Sequence, residues 1–240
     1  MNRELEARTA SSAPSTLASR GHTGALVAVM LAVAVTGTWL QHRGVPDAAS
    51  VARAGSFGAR ILGQYLPLLA VNAGLVLYVA RLFRGRNRLS ELLGRRLRGS
   101  RDVLVDVLSS ALAFTLIVGI EALTRPFGAG RNAAVSALLP STVAERLTWL
   151  FVASGVGFSE EVVYRGYLQT QLGAFTRSPA LGVLLQALLF AVAHLEQGVG
   201  AAARIGGYGL MLGLLAHARG RLLPGILCHI GIDLASGLLR

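Results

Sequence analysis

The chain has 240 residues, 53% of them hydrophobic, and carries a formal charge of +11 with arginine as its sole strong base. Its mean hydropathy of +0.56 is well above that of a soluble globular domain. The single cysteine, Cys228, excludes an intrachain disulfide and any cysteine-cluster metal site.

Residues 1–23 are polar and rich in Ser and Ala, and they predict a disordered amino-terminal segment. Residues 24–40 form the first apolar run. It ends in "TWLQHRG" without the small-residue cleavage site of a signal peptide, and so reads as an uncleaved span. Further apolar runs follow at 61–80 and 103–123. Then come 147–157 (leading into a charged stretch), 180–195, 205–216 and 222–239. Several approach the roughly 20 residues needed to cross ~30 Å of hydrocarbon. The expected fold is therefore an all-α polytopic transmembrane bundle of about seven spans. Residues 24–240 form one integral membrane domain, with its motif-bearing core at 145–235.

The positive charge is patterned for a membrane and not for nucleic acid. Between Arg81 and Arg101, "RLFRGRNRLSELLGRRLRGSR" holds eight arginines and one glutamate between two apolar runs. That is a cytoplasmic loop by the positive-inside rule, in contact with the lipid bilayer. With this loop inside, the amino terminus, Arg177, Arg219 and Arg221 also fall inside. The arginine-only basic set indicates a GC-rich coding bias, and a bacterial inner membrane is the expected location.

Ionisable residues inside spans are functional candidates, because each costs at least ~2.5–3.5 kcal/mol to place in lipid. They form three groups. The first is Glu160, Glu161 and Arg165 in "FSEEVVYRGYLQTQL"; the second is His194 in "FAVAH"; the third is His229 and Asp233 in "HIGID". Glu161 and Arg165 stand at i,i+4, the spacing of a helical ion pair, while Glu160 points about 100° away. Glu160 lies 14 residues before Ala174, and His194 lies 15 residues after Pro179. A hairpin turning through "AFTRSP" would bring the two level, and a carboxylate beside an imidazole can hold and deprotonate water. His229 and Asp233 share a helix face. They could donate hydrogen bonds to an oxyanion, or ligate a metal together with His194. Counting from Leu222 does not bring His229 level with Glu160: either the first hairpin protrudes or the last helix is offset. His217, beside the "RGR" turn, reads as a boundary residue.

Together these groups resemble the CAAX-type prenyl endopeptidases and bacteriocin-processing membrane proteins, the glutamic intramembrane proteases. The hallmarks E-E-x-x-x-R, F-x-x-x-H and H-x-x-x-N/D stand here as "EEVVYR" (160–165), "FAVAH" (190–194) and "HIGID" (229–233). The resemblance covers about residues 145–235. It implies that Glu160 and His194 activate water, that His229 and Asp233 stabilise the oxyanion, and that Glu161 and Arg165 support the site. Asp233 departs from the asparagine variant, since an ionised carboxylate cannot donate a hydrogen bond. It must be protonated or orient a donor. No cofactor or metal follows, and the expected partner is a membrane-associated protein or peptide cut near its carboxyl terminus. The alternatives are a zinc-dependent version of the protease, a non-catalytic immunity or scaffold protein of this fold, and a transporter relaying protons through buried carboxylates and histidines. The absence of repeated halves weakens the last.

Overall fold

The helical expectation holds. The computed structural model describes residues 16–43, 57–82, 89–124, 136 and 138–239. Among these no strand occurs, only an isolated antiparallel bridge between Gly94 and Arg221. Residues 1–15 of the expected disordered segment and residues 83–88 of the arginine-rich loop lie outside the described residues.

Seven long helical rods follow one another among the described residues, with a four-residue helix (Leu89–Leu92) between the second and third. They are α1 (Arg20–His42), α2 (Phe57–Leu82), α3 (Ser100–Thr124), α4 (opening with Val143–Glu160), α5 (Pro179–Val192), α6 (Val199–Arg219) and α7 (Leu223–Leu238). Four of them, α1, α2, α3 and α6, are long and apolar enough to cross a membrane, while α5 and α7 are shorter apolar helices. Their outer faces expose Val33, Leu62, Leu112 and Leu123, an apolar surface suited to hydrocarbon. α1 starts four residues earlier than the apolar run, because the Ser19 hydroxyl accepts the His22 N–H and caps the first turn.

α4 is the axis of the bundle. Thr142 and Glu145 close a capping box at its start, a pattern readable in "STVAE". After Glu160 the helix widens into a π-helix over Glu161–Leu168 and then continues as Gln169–Thr176. It stops at Arg177, in the left-handed region at φ 55°, and Ser178 caps α5 with Pro179 in the first turn. α4 and α5 touch backbone to backbone here. A Cβ on Gly182 would sit 2.4 Å from the Gln169 carbonyl oxygen, so only glycine permits this approach.

α7 packs antiparallel along α4. The Trp149 indole N–H donates to the Asp233 carbonyl at 2.9 Å, Ile230 lies against Gly157, and Gly225 lies against Glu161. Gly166 meets Leu222, so α7 begins level with the middle of α4. The rest of α4 and the turn into α5 project beyond that level. This offset between α7 and the far end of α4 is what brings His229 to the glutamates.

The end of the bundle that carries the α6–α7 turn is closed by charge. Leu222 N–H donates to the Leu93 carbonyl and Arg95 N–H to the Gly220 carbonyl. Arg219 Nε lies 2.7 Å from Asp106 Oδ1, and Arg221 Nη2 lies 2.8 Å from Asp102 Oδ2. Asp106 and Arg221 are both buried. Arginines that read as simple inside-facing turn residues are therefore half of a clamp on α3. Asp106→Ala takes the carboxylate from Arg219 and leaves Arg221 held by Asp102 alone, and breaking this buried pair from one side is expected to cost about 3–5 kcal/mol. A lower thermal midpoint in detergent would show it; an unchanged midpoint would mean that the clamp contributes nothing. A second buried pair, Arg60 Nη1 to Glu145 Oε2 at 2.7 Å, ties α2 to the capped start of α4.

Candidate active site

Glu160 is the last residue of the regular part of α4, and Glu161 opens the π-helix. In that segment the Gln169 N–H bonds to the Tyr164 carbonyl, five residues back. Each π residue therefore turns less about the axis than an α residue, and π-helical stretches are frequent at functional sites. Glu160 and Glu161 themselves keep ordinary helical backbone angles (φ −66°, ψ −39° and φ −63°, ψ −41°), so their side chains diverge as in a regular helix and flank His229 from two sides. Both carboxylates meet the same imidazole.

That imidazole is His229. Its Nδ1 lies 2.9 Å from Glu161 Oε1, and its Nε2 lies 3.5 Å from Glu160 Oε2 and 3.9 Å from Asp233 Oδ2. Glu161 Oε1 also lies 2.8 Å from Arg165 Nη1, so the anticipated i,i+4 ion pair is present. A carboxylate paired with arginine accepts, which places a hydrogen on His229 Nδ1. α7 can approach this closely because position 225 is glycine: a Cβ there would lie 2.7 Å from Glu161 Oε2.

Exposure separates the two halves of the cluster. The side chains of Glu161 and Arg165 are 0% exposed, whereas those of Glu160 and Asp233 are 19% and 26% exposed. The first pair is sealed within protein and holds His229. The second pair faces space that a reactant can enter.

His194 lies two residues beyond the end of α5, and its Nδ1 lies 2.8 Å from the Phe190 carbonyl oxygen. A carbonyl can only accept, so Nδ1 carries the hydrogen, and in the neutral ring the free lone pair is on Nε2. Phe190 is the hub of the site. Its ring centroid lies 4.7 Å from that of His194, 6.0 Å from His229 and 4.8 Å from Tyr164, and the Arg165 guanidinium stacks over it at 4.4 Å. The first residue of F-x-x-x-H thus organises the site with both its ring and its backbone. Glu160 also meets His229, a contact that counting from Leu222 did not reach.

For the alternative of a metal held by His194, His229 and Asp233, no group of three or more His, Cys, Asp or Glu side chains among the described residues is arranged to hold a metal ion.

Residues 142–235 match the family model described as type II CAAX prenyl endopeptidase Rce1-like. The matched stretch contains all six residues that the motifs single out and agrees with the resemblance they carry. The α4–α7 core is thus similar to a protease family, which supports a peptidase in general. No curated protein and no solved structure gives a significant match.

Proposed function

We propose that the protein is an intramembrane endopeptidase that hydrolyses a peptide bond of a membrane-associated substrate near its carboxyl terminus, with water activated by Glu160 and His194. The observation that carries this reading is the convergence of Glu160, Asp233 and the Glu161–Arg165 pair on His229. Glu160 is open to a reactant and can take a proton from water as the oxygen attacks the scissile carbonyl. His194 is a second acceptor through its free Nε2. The proton removed from water is then returned to the departing amine, which completes hydrolysis without a covalent enzyme intermediate.

Asp233 acts as an acceptor in this scheme. Its carboxylate faces His229 Nε2 and steadies that ring, which favours orienting a donor over being one. Glu161 and Arg165 position His229 from the sealed side and do not touch substrate. The arginine-rich end of the bundle lies in the cytoplasm of a bacterial inner membrane, with the amino terminus on the same side. Reporter fusions that place residue 88 outside would reverse this orientation.

The test is direct. Purified protein in bilayer nanodiscs is incubated with internally quenched peptides ending in a farnesylated cysteine and three further residues, and with unprenylated peptides of the same sequence. Mass spectrometry then locates any cut. Cleavage near the carboxyl terminus is expected. Intact peptides in both series, together with unaltered protein termini in cells lacking the gene, would overturn the reading.

A further inference from the structure

The proposed reaction builds negative charge on the scissile carbonyl oxygen, and the motif residues are poorly supplied with free donors for it. His194 has its hydrogen on Nδ1, committed to the Phe190 carbonyl. Asp233, when ionised, only accepts. His229 gives its Nδ1 hydrogen to Glu161, and any hydrogen on Nε2 lies between the carboxylates of Glu160 and Asp233. A site that stabilises an oxyanion needs a donor aimed at where that charge forms.

Tyr164 meets the need. It stands four residues after Glu160 on the π-helical segment, so the two side chains project from adjacent turns. The residue is only 5% exposed, and its ring packs edge-on against Phe190, whose other contacts are the rings of His194 and His229. The ring thus sits, through Phe190, between α4 and the segment that carries His194. The hydroxyl makes no hydrogen bond among the described residues. By contrast, Tyr167 bonds Thr23 at 2.9 Å and Tyr208 bonds Glu121 at 2.8 Å. A phenol with an ordinary value near 10 keeps its proton at neutral pH, so it is a dependable donor.

We infer that Tyr164 is a further catalytic residue, donating its O–H to the carbonyl oxygen of the substrate as the tetrahedral intermediate forms. It keeps its proton throughout; the proton taken from water goes to Glu160 or His194, and the electron pair of the carbonyl goes to the oxygen that Tyr164 holds. This inference rests on the peptidase reading. It also explains how an aspartate at position 233 is compatible with catalysis: the donor that an asparagine would supply comes from α4.

Tyr164→Phe removes the hydroxyl and keeps the ring that packs on Phe190. On a peptide that the wild type cuts, kcat is expected to fall by about 10²–10³-fold with KM nearly unchanged, as for loss of one oxyanion donor. The thermal midpoint should not move, and Tyr208→Phe, which removes a phenol engaged elsewhere, should retain activity. A Tyr164→Phe variant within about threefold of wild-type kcat would overturn this inference alone, since one oxyanion donor is worth far more. A loss expressed wholly in KM would overturn it too, because the hydroxyl would then bind substrate and transition state equally. If neither the wild type nor any variant cuts peptide, the peptidase reading and this inference fall together.

Discussion

Glu160→Gln is expected to lower hydrolysis by roughly 10²–10⁴-fold while leaving the protein folded and inserted, the range for loss of a general base. The amide matches the carboxylate in size and keeps an oxygen that can accept from His229 Nε2, 3.5 Å away in the parent. What it lacks is the basicity to take a proton from the attacking water. Its side chain is partly exposed, so no sealed charge is stranded and the thermal midpoint should stay near that of the parent. Cleavage rates and thermal unfolding in the same detergent preparation check both halves. Full activity in a normally accumulating Glu160→Gln protein would remove the glutamate mechanism, and coupled loss of activity and stability would recast Glu160 as a structural support for His229.

The three motifs were legible because lipid makes charge conspicuous: Glu160, Glu161, Arg165, His194, His229 and Asp233 stand out in apolar runs. The hairpin between α4 and α5 was legible from "AFTRSP", whose serine and proline cap the next helix. The π-helix was not. Its extra residue per turn leaves no periodic signature over eight residues. The depth of His229 was hidden for a related reason. It depends on α7 starting at the level of Gly166, and that level is set by tertiary contact among Leu92, Gly166 and Leu222.

Other features left signals that a wider scan would catch. Asp102 and Asp106 stand at i,i+4 at the head of an apolar run, the same anomaly that marks Glu160 and Glu161. Paired with Arg219 and Arg221, they show that positive-inside residues can also close a fold. Tyr164 left the weakest signal. Aromatic residues in helices are ordinary core, and it stands apart only because its hydroxyl makes no hydrogen bond among the described residues, four positions after Glu160.

Arg165→Ala is the second large effect, and it should differ in kind from Glu160→Gln. Arg165 and Glu161 are wholly enclosed, and the guanidinium does three things at once. It pairs with Glu161 at 2.8 Å, stacks on Phe190 at 4.4 Å and reaches the Gly209 carbonyl of α6 at 3.4 Å. Truncation leaves Glu161 with His229 as its remaining charged neighbour, opens a void beside Phe190 and frees α6. Breaking a buried pair from one side typically costs about 3–5 kcal/mol. Lower accumulation and a depressed thermal midpoint should therefore accompany the loss of cleavage. Arg165→Lys should recover only part of the stability, because an ammonium keeps the charge without the planar stack or the second arm to Gly209. Glu161→Gln combined with Arg165→Met removes both charges and should regain more stability than either single truncation, while activity stays low because His229 is no longer held. An Arg165→Ala protein that unfolds at the parental temperature yet cleaves nothing would contradict this division of labour and place Arg165 on the substrate.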